Sequence, residues 1–258
     1  MKRFHSLLGF FGINLVLLKN NIKGLFFYFR DLRLLKKQKG ADNSFVFGKK
    51  YPVLWERFVD SGTLNGHYFH QDLFVAKQIY KNTPVKHVDV GSRTDGFVAH
   101  IAVFRKIEVL DIRNLESKIS NISFRKADLM DLPKDMINYC DSISSLHAIE
   151  HFGLGRYGDP IDYFGHLKAI ENITKILEVG GTFYFSVPIG PQRIEFNAHR
   201  VFSVQYLLDL FEKKYSLKAF SFVDDAGDFF ENVEMNRSAV QNNFGCHWGC
   251  GIFELKKN

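Results

Sequence analysis

Residues Lys86 to Pro133 read KHVDVGSRTDGFVAHIAVFRKIEVLDIRNLESKISNISFRKADLMDLP, and this stretch decides the fold. Three short apolar runs, His87–Val90, Ile107–Ile112 and Ile122–Phe124, are separated by roughly one helix of chain each. Val88, Val90, Val109 and Leu110 suit strands buried on both faces. Phe97, Ile101 and Phe104 recur between the first two runs at helical spacing. The pattern predicts a β-α-β-α-β unit. Gly91 permits a sharp turn after the first strand, so that the following helix offers its N-terminal N–H groups to a ligand. Asp111, twenty residues past Gly91, stands where an acid accepts hydrogen bonds from a ribose diol.

The turn itself reads Gly91-Ser92-Arg93-Thr94-Asp95-Gly96. Arg93 occupies the place where the second glycine of a dinucleotide fingerprint lets a pyrophosphate come close. A nucleoside ligand without a pyrophosphate suits this loop better, and S-adenosylmethionine is the commonest. The order D-x-G, a strand ending in Asp, then A-D-L-x-D-L-P resembles class I S-adenosylmethionine-dependent methyltransferases. Within them, HVDVGSRTDGFVAH, GHYFHQDL and SLHAIEHFGLGRYGDP are similar to the domain-of-unknown-function family 268. The resemblance runs from Tyr51 to Leu255. It implies an α/β Rossmann-like sheet, mostly parallel with an antiparallel last strand, behind an N-terminal helical extension. The chain then divides into a basic segment (1–40), a linker with a capping helix (41–84) and a methyltransferase domain (85–258).

The same resemblance implies which residues meet S-adenosylmethionine. Gly91, Ser92, Arg93 and Gly96 form the first turn, with Asp89 fixing the loop or approaching the methionine amine. Asp111, with Ile112 and Arg113, holds the ribose; Asp128 with Leu129 faces the adenine; Leu146 ends the fourth strand. Arg93, Tyr68 or Gln71 meets the methionine carboxylate.

Charge is unevenly spread. Residues 1–40 hold nine Lys/Arg and one acid, so they carry +8, whereas the whole chain carries +6. The remainder is near −2, which gives no support to nucleic-acid binding by the main domain. The apolar run Leu7–Leu18 is twelve residues long and interrupted by Asn14, too short to span a bilayer. Two readings of the basic segment stand: an interfacial helix on an anionic membrane surface, or a helix packed on the protein or a partner. Twenty-seven phenylalanines imply an aromatic core or a sticky surface. Three cysteines, Cys140, Cys246 and Cys250, make no disulfide framework, so a reducing, cytoplasmic setting is expected. Cys246-His247-Trp248-Gly249-Cys250 is half a zinc pattern without a second pair, and reads as small residues beside a final strand.

Along the rest of the chain, a helix follows the turn Thr63–Gly66, with Phe69, Leu73, Ala76 and Tyr80 as its core stripe and His67, His70, Gln71 and Phe74 on another face. A fourth strand covers Asp141–Leu146, and Asp159 caps a helix that Gly180-Gly181 ends. A fifth strand covers Thr182–Val187, and Ser203 starts a helix to Lys214. Leu217–Val223 and Gly251–Leu255 are the last strands, joined by a long polar segment suited to a substrate loop.

The fourth strand runs into His147-Ala148-Ile149-Glu150-His151. As a bare string this is H-x-x-E-H, a metalloprotease motif that belongs inside a long helix, not after a strand. It is also similar to the E-x-x-E-H string of some methyltransferases, where the side chains hold a divalent metal against the acceptor; His147 replaces the first Glu. With His199 from the segment after the fifth strand, His147, Glu150 and His151 would make a three-imidazole, one-carboxylate site suited to zinc, manganese or iron. The alternative is a metal-free loop in which His147, His151 or His199 is a general base. The expected reaction is methylation of a hydroxyl on a small-molecule or glycan acceptor. The glycan comes from the family resemblance, whose bacterial members associate with surface-polysaccharide assembly. The rival is a non-catalytic methyltransferase-fold module in a membrane-associated polysaccharide machine. A nucleotide-dependent oxidoreductase is disfavoured by Arg93.

Overall fold

The computed structural model describes residues 12, 14–116, 118–132 and 134–258. Residues 7–11 and 13 of the apolar run Leu7–Leu18, and with them the start of the basic segment, lie outside the described residues. The chain separates into two compact units, Met1–Thr63 and Leu64–Asn258, so the helix that follows Gly66 falls in the same unit as the sheet.

In the first unit, helix α1 spans Leu15–Lys39. Asn14 caps it by accepting from the Leu17 amide at 2.9 Å, and Lys36, Lys37 and Lys39 sit where the helix dipole favours cations. Gly24 is its one buried residue: a side chain there would strike the Leu54 carbonyl, so glycine lets that segment lie on the helix. Phe27 packs on Phe58, and Asp31 holds Arg57. No helix among the described residues is long and apolar enough to cross a membrane.

The second unit is built on an eight-stranded sheet. Helix α2 (His67–Asn82) precedes β1 (His87–Val90), and a wide turn at Thr94–Val98 leads into the short α3 (Ala99–Ala102). Strands β2 (Ile107–Asp111), β3 (Ile122–Lys126) and β4 (Cys140–Leu146) follow. Then come α4 (Gly165–Ile176), β5 (Leu177–Ile189), the small hairpin β6 (Arg193–Glu195) and β7 (His199–Val201), and α5 (Val204–Phe211). The chain ends with β8 (Tyr215–Val223), β9 (Phe229–Phe230), α6 (Arg237–Gln241) and β10 (Gly249–Lys257). The strand order is β3-β2-β1-β4-β5-β10-β8-β9. The first five strands are mutually parallel, and β10 runs antiparallel between β5 and β8. Order reverses between β1 and β4, which places a ligand crevice at their carboxyl ends.

Alternation along the strands feeds two cores. Val88, Val90 and Leu110 face α4 and α5; Ile107 and Val109 face α2 with Phe97 and Ile101. The phenylalanines serve both expected roles, since Phe183, Phe185, Phe220 and Phe253 are buried while Phe26, Phe45 and Phe196 are exposed.

Three local expectations are corrected. On α2 the buried residues are His67, Gln71, Asp72, Phe74, Val75, Ala76 and Ile79, so Ala76 of the expected stripe is buried, whereas Leu73 and Tyr80 are exposed. The polar residues tolerate burial because Gln71 finds partners inside: its Oε1 accepts from Ser186 Oγ at 2.6 Å and its Nε2 donates to Asp72 at 3.1 Å. Asp159 caps no helix; its carboxylate instead accepts from the amides of Gly153, Gly155 and Tyr157, tying the glycine loop, and α4 starts six residues later. Gly180-Gly181 lies inside β5, not before it, with Gly180 at φ 75° marking an irregularity in the ladder. Ser203 caps α5 as expected, accepting from the Tyr206 amide, although the helix ends at Phe211.

Candidate active site at the carboxyl ends of the parallel strands

Asp89 fixes the loop after β1. It is fully buried, and accepts from the Ser92 amide at 3.0 Å, Ser92 Oγ at 2.6 Å and Ser144 Oγ at 2.6 Å. Ser92 Oγ also accepts from the Leu146 amide at 3.0 Å, so β1, its loop and β4 form one stapled unit. Burial pushes the Asp89 pKa up to about 6, against the pull of those donors. Gly91 turns the chain at φ 70°, and a side chain there would crowd the methyl group of Ala148.

Two hollows meet over this loop, sharing Gly91, Asp111, Arg113, His147 and Tyr157 as walls. The first is lined by the apolar side chains of Leu110, Ile112, Ala127, Leu129 and Phe152, together with Asp111 and Asp128. The second is lined by Tyr68, Ser92, Arg93 and Thr94. An apolar slot with a carboxylate in its lining, joined to a polar loop of backbone amides, has the donor set that a nucleoside with a charged tail needs. The residues present therefore fit S-adenosylmethionine.

Several expected contacts do not line the crevice. Leu146 is core, Gly96 packs on Asp72, Asp89 is turned inward, and the Gln71 amide is committed to Ser186 and Asp72. Arg93 pairs with Asp95 at 2.9 Å and lies over the Tyr68 ring. Asp128 accepts from the Met130 amide at 2.9 Å.

The segment after β4 begins with His147 in the left-handed region, at φ 50°, a conformation that a non-glycine residue rarely holds. Its side chain is buried, and Nδ1 lies 2.8 Å from Glu150 Oε1. Burial opposes charge on this imidazole, but the facing Cys250 sulfur, when ionised, and the Glu150 carboxylate outweigh it and hold its pKa well above the ordinary value. Burial likewise works to raise Glu150, and His147 overcomes it and lowers that pKa. His151 Nδ1 donates to the Ala198 carbonyl at 2.7 Å, which fixes the tautomer with the lone pair on Nε2. Burial lowers the His151 pKa, so the ring is neutral at pH 7. Arg200 donates to the carbonyls of Glu150, Phe152 and Tyr163 and locks this loop.

The quartet His147, Glu150, His151 and His199 is not the ligand group that converges. His199 accepts from Trp248 Nε1 at 3.1 Å and faces Glu195, because β7 carries it to the hairpin rather than the crevice. Among the described residues, the one group of three or more candidate ligands whose donor atoms converge is His67, His147 and Cys250, all buried and within 4.8 Å of one another. Burial lowers the His67 pKa to about 4. Sequence spacing could not find this triad, since its members come from α2, the loop after β4 and β10.

The sheet order and the crevice define the class I methyltransferase fold. Solved structures agree on this. The cyclase SpnF, crystallised as a [4+2]-cyclase, superposes with a TM-score of 0.51 at 13% identity over 71% of this chain and 80% of its own. A Burkholderia thailandensis 1,6-didemethyltoxoflavin N1-methyltransferase with bound S-adenosylhomocysteine gives 0.51 at 13% identity over 73% and 78%. The Bradyrhizobium japonicum N-methyltransferase NodS with S-adenosylhomocysteine gives 0.50 at 12% identity over 87% and 97%. At such identities the likeness is one of fold. No curated protein matches the chain in sequence. The chain belongs to the family described as "Caenorhabditis protein of unknown function, DUF268", which matches residues 86–243.

Proposed function

We propose that this protein is an S-adenosylmethionine-dependent methyltransferase acting on a hydroxyl of a small-molecule or glycan acceptor. The observation that carries the reading is the apolar slot at the carboxyl ends of β1, β2 and β4, lined by Gly91 and Asp111 among others. When bound, S-adenosylmethionine supplies a methyl group on a positively charged sulfur, already electrophilic. The protein's part is to align the acceptor and to remove its proton. Asp111 accepts from the ribose hydroxyls; Leu110, Ala127 and Leu129 enclose the base; the loop from Gly91 to Thr94 receives the amino-acid end. His151, whose Nε2 bears the lone pair, takes the acceptor's proton as the oxygen attacks. The glycan part of the reading rests on the family resemblance alone.

The N-terminal helix belongs to the same proposal. Leu18, Ile22, Phe26 and Phe29 are exposed along one stripe of α1, among Lys19, Lys23, Arg30 and Arg33. An exposed apolar stripe flanked by cations suits peripheral attachment to an anionic membrane surface. The test of the catalytic reading is methyl transfer from isotope-labelled S-adenosylmethionine to a panel of hydroxyl acceptors, followed by mass, with His151→Phe as control.

A further inference from the structure

His67, His147 and Cys250 come from three separate parts of the second unit, yet their donor atoms lie within 4.8 Å of one another. His67 is the first residue of α2, His147 leaves β4, and Cys250 is held in β10 by its pairing with Pro188 and Val223. The two imidazoles stack at 5.3 Å with 13° between their planes. The indole of Trp248 lies 4.7 Å from the His67 ring and walls the cluster.

Two buried polar atoms here have no partner: His147 Nε2 and Glu150 Oε2. An orphaned nitrogen on a side chain only 4% exposed asks for an explanation. Glu150 Oε1 supplies part of it. It accepts from His147 Nδ1 at 2.8 Å, which holds a hydrogen on Nδ1 and leaves Nε2 as the nitrogen whose proton a metal ion would displace. A carboxylate behind a histidine in this way is what orients and strengthens imidazole ligands of zinc.

We propose that His67, His147 and Cys250 bind one zinc ion, with Glu150 as the residue that positions His147. Two imidazoles and a thiolate are borderline-to-soft donors, which select zinc over magnesium or calcium. Zinc–nitrogen bonds of about 2.0–2.1 Å and a zinc–sulfur bond of about 2.3 Å set donors roughly 3.3–3.8 Å apart, so the cluster closes by up to about 1.5 Å on binding. Cys250 now donates its thiol hydrogen to Gln71 Oε1 at 3.5 Å; that proton leaves to solvent as the sulfur takes the metal. Three protein ligands leave the fourth tetrahedral position to a water or a bound acceptor, and His147 also borders the crevice. The site differs from the quartet expected from the H-x-x-E-H string, and it needs no adenosyl ligand, so it stands or falls apart from the methyl-transfer reading.

The test uses the full chain, purified without a metal-affinity column, stripped by chelator and titrated with Co²⁺ and then Zn²⁺. The expected result is a single saturating cobalt site with a thiolate-to-cobalt charge-transfer band, displaced by zinc. Cys250→Ser removes the band, Cys246→Ser and Cys140→Ser keep it, and Glu150→Gln weakens zinc by about 10–100-fold. Zinc raises the thermal midpoint of the unaltered chain. A stripped full chain that gives no cobalt band and no midpoint shift with zinc overturns the proposal. So does a band that survives in folded Cys250→Ser, folding being checked by circular dichroism.

Discussion

The guanidinium of Arg113 lies across the carboxylate of Asp111, with Nη2 2.6 Å from Oδ2 and Nε 3.0 Å from Oδ1. The Arg113 amide also donates to Oδ1 at 2.8 Å. Both oxygens assigned to a ribose diol therefore already hold donors. Arg113 is half exposed, and such a pair is worth at most about 1 kcal/mol, so a diol that brings its own donors competes or shares.

Asp111→Ala is expected to weaken S-adenosylhomocysteine by about ten- to a hundredfold, the loss of roughly 1.5–3 kcal/mol of charge-assisted hydrogen bonding. Calorimetric titration of both proteins measures it. Equal affinities would move the ribose elsewhere along the crevice.

His151→Phe is expected to lower the rate of methyl transfer by about 10²–10⁴ while leaving S-adenosylhomocysteine affinity within a few-fold, since the role assigned to Nε2 is proton removal. Single-turnover kinetics beside calorimetry separates the two quantities. A large loss of cofactor affinity with normal turnover would mean that His151 holds the cofactor.

His87 controls part of the acid stability. It is fully buried between Ser142 Oγ and Ser144 Oγ, at 2.8 and 3.1 Å, beside Phe97. Burial, aided by Arg105, lowers its pKa from 6.5 to about 3. Between those values the unfolded chain binds a proton that the native chain refuses, so this contribution is intact above pH 6.5 and drains away as pH falls toward 3. The full loss is up to about 5 kcal/mol at 1.36 kcal/mol per pH unit. Urea unfolding from pH 7 to pH 4 should show a flatter profile for His87→Gln than for the natural chain, even though the variant is less stable at pH 7. Parallel profiles would remove His87 from the account.

The full chain is expected to float with anionic liposomes and to detach as salt rises, because lysines and arginines near such a surface contribute about 1 kcal/mol each through a screened potential. Lys36→Glu, Lys37→Glu and Lys39→Glu together should reduce flotation. Flotation that is independent of salt and of these charges would indicate a different mode of attachment.

Much of the fold was legible because the parallel strands are continuous apolar runs. His87–Val90 and the runs beginning at Ile107 and Ile122 start where the strands do, and the acid at Asp111 marks a strand end. The faces of α2 were not legible. Its buried side carries His67, Gln71 and Asp72, whose burial depends on Ser186 and other partners more than a hundred residues away. Asp159 and Pro160 look like a helix start, yet the nearby glycine amides compete for the carboxylate. At the site, the loop and strand-end residues could be read from local order. The convergence of His67 and Cys250 on His147 could not, because only the packing of α2 and β10 around β4 and β5 brings them together.

The central claim is that the crevice over Gly91 binds an adenosyl ligand, and titration of S-adenosylmethionine into the full chain tests it most directly. The account predicts one saturable site of micromolar affinity, about −8 kcal/mol, weakened by Asp111→Ala. No heat and no change in thermal midpoint at millimolar ligand would contradict it.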